Sequence, residues 1–224
     1  MSQTVTLLGA TGLVGGLILR RLLDDPLYSE VNVITRRSTN VHHNKLKEFI
    51  FDFKDPKEME GMVAGSETVF CAVGTTDKKV DGNKEAYQKV DFDIAYQAAK
   101  ACVKGGVYGF VLISAVGANP ENNNNFYLKL KGVTEEAVSK ELIPQLIFLR
   151  PSVLLGKREE DRLGESIAQF IMPAVSWVLP ASMSKYKSIK AEYVAAAAVN
   201  ASQKLPRGIH FLEYDLMMKW AKPV

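Results

Sequence analysis

The sequence predicts an α/β fold, a doubly wound parallel sheet with crossover helices, and two observations carry that prediction. Short β-branched runs alternate with helical runs along the first two thirds of the chain, as a parallel sheet covered by helices requires. A glycine-rich stretch, Gly9-Ala10-Thr11-Gly12-Leu13-Val14-Gly15-Gly16, joins the first strand to the first helix, where such sheets place a ligand loop. At 224 residues the chain is expected to form one domain, 1–224, in which residues 157–224 contribute a less regular C-terminal substrate or lid region.

The elements follow in order. Strands are predicted at 4–8, 31–35, 48–51, 68–73, 109–114 and 145–149. Helices are predicted at 13–23, 56–62, 84–103 and 126–140. The helix over 84–103 carries Tyr87, Val90, Ile94, Ala98 and Cys102 in steps of three or four, hence on one face. The helix over 126–140 is expected to bury Phe126, Leu130, Val133 and Ala137. Between them, the loop 118–125 holds one proline and four consecutive asparagines, a composition that packs no core and predicts mobility. Beyond Arg150-Pro151 the alternation stops; helical regions at 163–179 and 191–203 and a strand at 209–212 complete the chain.

The glycine spacing is G-x-x-G-x-x-G. Glycine lets the backbone turn sharply and come close to a pyrophosphate, and a third glycine permits close helix–strand packing. The helix N-terminus then offers N–H groups and a positive dipole end to phosphate. The strand–loop–helix context predicts a Rossmann-type dinucleotide site built on Gly9, Thr11, Gly12, Leu13, Val14 and Gly15. At the end of the second strand, where an NAD site usually carries an acidic residue, this chain has Thr35-Arg36-Arg37. Guanidinium forks suit a 2′-phosphate, so NADP(H) is favoured over NAD(H); the other reading is that both arginines form a solvated edge. Asp52 and Phe53, after the third strand, and Val73, Gly74 and Thr75, after the fourth, belong to the strand ends that line the crevice of an open sheet. Asp52 is placed to accept from the adenine amino group.

Tyr127 and Lys131 lie four apart on a helix and share a face; Ser114 ends the preceding strand. A tyrosine has a pKa near about 10. A neighbouring ammonium group and an oxidised nicotinamide each favour phenolate. The phenol then exchanges a proton with a carbonyl oxygen as hydride moves at carbon, and the serine hydroxyl holds the same oxygen. The alternative is that Tyr127 is a helix-face aromatic and Lys131 only touches ribose hydroxyls.

Together, Gly9 to Gly15, Gly74-Thr75-Thr76, Val90-Asp91, Leu112-Ile113-Ser114, Tyr127 to Gly132 and Arg150 to Gly156 resemble the short-chain dehydrogenase/reductase superfamily in its atypical, shorter form. The resemblance implies an NADP-binding Rossmann fold with Ser114, Tyr127 and Lys131 as the catalytic set. It also implies that Pro151 to Leu154, Pro151 and Val153 among them, lie against the nicotinamide. Asp91 matches a position where many extended members carry Asn, which leaves a structural or a water-relay role open. Ala115 and Val116 depart from the pattern by supplying no second hydroxyl after Ser114. Two functions are carried forward: an NADPH-dependent oxidoreductase acting on a small-molecule carbonyl or alcohol, and a cofactor-binding regulator acting through a protein partner.

Composition narrows the rest. The apolar fraction is 47%, the charged fraction 24% and the net charge +3, ordinary for a globular protein and without the lysine and arginine density of a nucleic-acid binder. Cys71 and Cys102 sit in apolar runs and read as buried thiols. No Cys/His/Asp cluster has metal spacing. His42 and His43 read as loop residues, His210 as an edge or core residue, and Lys185, Lys187 and Lys190 as a solvated face. With no secretory leader in view and an apolar stretch near 167–183 broken by Pro173 and Pro180, the expected location is cytoplasmic and no membrane span is expected. Ile167, Phe170, Ile171, Trp177 and Val178 have three readings: a pocket roof, a homodimer contact or core packing.

Overall fold

The computed structural model describes residues 3–75, 81–156 and 181–222. Seven strands form one parallel sheet: β1 Gln3–Leu8, β2 Tyr28–Thr35, β3 Leu46–Ile50, β4 Thr68–Cys71, β5 Gly109–Ile113, β6 Gln145–Leu149 and β9 Gly208–Leu212. Their spatial order is β3-β2-β1-β4-β5-β6-β9. β1 is central, with Leu8 in register with Ile34 on one side and Cys71 on the other. Burial on both faces suits its Val5, Leu7 and Leu8, all fully buried. The chain winds outward through β2 and β3, then returns to the other side of β1 as β4. That reversal opens a crevice beyond the strand ends, between the β1 and β4 loops.

Helices cover both faces. One apolar cluster joins the sheet to α1 Leu13–Asp24, α6 Ala191–Lys204 and α7 Tyr214–Ala221. The other joins it to α2 Pro56–Val63, α4 Ile94–Lys104 and α5 Phe126–Ser139. A two-stranded parallel pair, β7 Leu154–Leu155 with β8 Ile189–Lys190, lies apart from the main sheet. Among the described residues no helix is long and apolar enough to cross a membrane.

The doubly wound prediction holds, with corrections. The C-terminal region is more regular than expected: β9 joins the sheet in parallel beside β6, and α7 follows it, unpredicted by the pattern. The helix expected over 84–103 is three segments, α3 Lys84–Gln88, a π-helical turn Lys89–Asp93, and α4. The buried face of α5 is Leu130, Lys131, Gly132, Thr134, Glu135 and Val138, whereas Phe126, Val133 and Ala137 are only half-buried. The apolar pattern misled there because the inward charges are paired, and paired charges can be buried: Glu135 Oε1 accepts from Arg150 Nε at 3.0 Å. The asparagine run builds turns. Asn122 accepts from the amides of Asn124 and Asn125, and Asn125 caps α5 by accepting from Leu128 N at 3.0 Å. The region 163–179 and its five apolar residues lie outside the described residues.

Candidate active site

The glycine loop has the geometry its spacing predicts. Gly9 has φ +86, and a Cβ there would fall 2.6 Å from the Ala72 carbonyl group. The β1 loop therefore presses directly on the β4 loop. A Cβ on Gly15 would meet Gly9 O at 2.0 Å, so α1 begins hard against the turn. Gly12 is the N-cap of α1 and has no side chain to cap the first turn, which leaves the helix N-terminus open toward the crevice. Leu13 and Val14 turn their side chains into the core; their contribution to a phosphate site is backbone.

The crevice is lined by Gly9, Thr11, Gly12, Ile34, Thr35, Arg36, Arg37, Phe53, Ala72, Val73, Gly74, Val90 and Ile94. Half of the residues expected to bind cofactor thus converge on it, while Leu13, Val14, Gly15, Asp52, Thr75, Lys131, Pro151 and Val153 are not among its lining residues. Both arginines are exposed at its rim, and Thr35 Oγ1 donates to Arg37 O at 2.8 Å, which fixes the turn carrying them. Phe53 holds a left-handed backbone, φ +64, and its ring meets Phe51 edge-on at 5.3 Å. Asp52 is not among the lining residues: it is exposed and ion-paired to Lys54 at 2.7 Å. The carbonyl of Pro151 accepts from Val116 N and that of Val153 from Ile189 N, so both are engaged within the protein. An open helix start, a glycine cradle that side chains would fill and two rim guanidinium groups fit a dinucleotide.

Beside Gly74, five residues form one network. Lys131 Nζ pairs with Asp91 Oδ1 at 2.8 Å, and Asp91 Oδ2 accepts from Thr75 N at 2.8 Å. Tyr87 donates its hydroxyl to Thr75 O at 3.1 Å. Tyr127 lies against this set, its ring 6.2 Å from that of Tyr87 and 5.8 Å from Lys131 Nζ. Asp91 and Lys131 are buried, at 3% and 5% exposure. The π turn positions the carboxylate: a widened turn changes which side chains point inward, and such turns frequently mark functional sites. Ser114 directly follows β5, with its amide on Leu149 O; its hydroxyl is buried and has no hydrogen-bond partner among the described residues.

The electrostatics differ from the simple expectation of an ammonium lowering a phenol. Burial pushes the Tyr127 phenol up, Lys131 pulls it down and Asp91 pushes it back, and the net direction is upward. Burial pulls Lys131 down, but Asp91 and Tyr127 outweigh it and hold the ammonium charged. Asp91 was open between two roles in the sequence; its place is on Lys131 and Thr75. Tyr87 belongs to the apolar stripe by its spacing, and nothing in that spacing reveals its hydroxyl on a backbone carbonyl.

A family model described as NAD(P)H-binding matches residues 9–162. The chain belongs to that family, as an atypical short-chain dehydrogenase/reductase. It is 35% identical over 159 residues to mitochondrial protein FMP52-1 of Scheffersomyces stipitis, covering 69% of each chain. It is 32% identical over 171 residues to protein HTATIP2 of Rattus norvegicus, covering 75% of this chain and 69% of that one. In fold it is similar to a UDP-N-acetylglucosamine 4-epimerase from Methanobrevibacter ruminantium, with a TM-score of 0.71, 16% identity and coverage of 95% of this chain and 76% of the other. The protein thus belongs to an NAD(P)H-binding family. One expectation is overturned: several FMP52 relatives are named as mitochondrial, against the cytoplasmic location. That expectation rested on the lack of a secretory leader, a feature that bears on secretion alone.

Proposed function

We propose that this chain is an NADPH-dependent oxidoreductase that interconverts a small carbonyl compound and its alcohol. The observation that carries the reading is Tyr127 set over the buried Lys131–Asp91 pair, which is tied through Thr75 to the rim of the dinucleotide crevice. Arg36 and Arg37 at the same crevice favour the 2′-phosphate of NADPH. Gly9, Gly12 and the start of α1 would hold the pyrophosphate. When bound, the reduced cofactor supplies a hydride equivalent. Tyr127 supplies the matching proton to the carbonyl oxygen, so that C=O becomes CH–OH, and its phenolate is reprotonated from solvent. Ser114, with a buried hydroxyl and no partner among the described residues, is suited to hold that oxygen. The names of the FMP52 relatives support a mitochondrial site of action.

The test is NADPH consumption over a panel of aldehydes, ketones and quinones, with wild type and Tyr127→Phe. Wild type is expected to turn over part of the panel. Tyr127→Phe is expected to lose about a hundred- to ten-thousandfold in rate with little change in NADPH affinity. Retained activity in Tyr127→Phe removes Tyr127 as the acid. Intact NADPH binding without turnover of any compound favours a cofactor-sensing protein that works through a partner.

A further inference from the structure

We infer that Asp91 is a positioning residue that holds Lys131 in a buried ion pair and opposes its charge at Tyr127. The inference rests on Tyr127 being the acid proposed above. It adds that Lys131 acts on the phenol as half of a neutral pair and not as a free cation.

The geometry is specific. Both oxygens of Asp91 are engaged, Oδ1 by Lys131 Nζ and Oδ2 by Thr75 N, each at 2.8 Å. The carboxylate therefore cannot swing away from the ammonium without losing a second bond. Both side chains are almost wholly shielded, at 6% and 1% exposure, so solvent screens the pair weakly. Lys131 Nζ is 5.8 Å from the Tyr127 ring centre. A lone ammonium at that range would pull a phenol toward phenolate; the carboxylate 2.8 Å from it acts in the opposite direction. Among the described residues, the titratable groups facing Tyr127 are Lys131 from α5, Asp91 from the π turn and Tyr87 from α3. Cys71, on β4, interacts with Lys131 and Asp91. Burial and Asp91 together outweigh Lys131, in the direction of the neutral phenol. Carbonyl reduction begins from a protonated phenol, whereas alcohol oxidation needs a phenolate to take the proton.

The experiment titrates the phenol of the full chain, without cofactor, by ultraviolet phenolate absorbance. Each variant is referenced to the same variant carrying Tyr127→Phe. Asp91→Asn leaves Lys131 unopposed and is expected to lower the Tyr127 midpoint by about one pH unit or more. The charge-free pair Asp91→Asn with Lys131→Gln is expected to return close to wild type, and it carries the test if Asp91→Asn does not fold. The pH profile of alcohol oxidation with NADP should move toward acid in Asp91→Asn by the same amount. An unchanged midpoint in Asp91→Asn, or a charge-free pair whose phenol titrates well above wild type, overturns the inference. The titration needs no turnover, so its failure is separate from failure of the catalytic reading, which the activity of Tyr127→Phe decides.

Discussion

Arg36 and Arg37 reach the crevice from the end of β2, and both are exposed. Neither is held by a carboxylate ion pair among the described residues, so their charge is available to an incoming anion. A charge-assisted hydrogen bond contributes about 1.5–3 kcal/mol. The double variant Arg36→Ala/Arg37→Ala should therefore bind NADPH roughly ten- to a hundredfold more weakly and NADH about as before. Intrinsic-fluorescence titration with each nucleotide measures this. Equal wild-type affinities for NADPH and NADH would remove the 2′-phosphate assignment. At the same scale, Arg150 pairs with Glu135 and lies 4.4 Å over the Phe211 ring, linking α5, β6 and β9.

At the scale of elements, α5 is the one whose placement matters most, because it carries Tyr127 and Lys131. Asn125 caps it, and Gly132 lets the loop at Asn119-Pro120 lie directly on it. A Cβ at Gly132 would stand 2.2 Å from the Asn119 carbonyl carbon, which is backbone and cannot step aside cheaply. Gly132→Ala should cost about 1–3 kcal/mol and lower turnover by displacing Tyr127 and Lys131. Gly61, inside α2, has nothing within 4 Å of a Cβ. Gly61→Ala should stabilise by about 0.5–1 kcal/mol through helix propensity alone. Urea unfolding of the two variants checks both signs, and matching effects would show that helix propensity, not loop packing, governs Gly132.

The whole molecule is two apolar layers around one sheet, and its buried acids predict how it fails in alkali. Burial pushes the Cys71 thiol from 9.0 to about 11; burial also pushes up Cys102, Tyr28 and Tyr127. Each of these groups ionises more easily in the unfolded chain. Their stabilising contribution is complete below the unfolded values and is lost as pH rises through the folded ones. The fall should begin near pH 9 and steepen toward 11, with Cys71 alone accounting for on the order of 2 kcal/mol. Urea midpoints across that range should drop in wild type and drop less in Cys71→Ala. A flat profile would mean that the thiols are not shielded as described.

Features that depend on local backbone chemistry and on apolar period were legible in the sequence. Gly9 and Gly15 announced a turn and a close approach through their spacing, and β-branched runs marked six strands of the main sheet; the seventh, β9, appeared only as a strand of unassigned place. Tyr127 and Lys131 were legible because i and i+4 share a helix face whatever the tertiary structure. Asp91 was legible as a position but not as a role, since its partner lies forty residues away on another helix and a π turn had to rotate it inward. The inward face of α5 was misread for the same reason: Glu135 looks like a surface charge until the guanidinium of Arg150 that neutralises it is in place. Side-chain spacing records which groups share one element. Which charges can be buried depends on pairing across elements, and only the tertiary structure decides that.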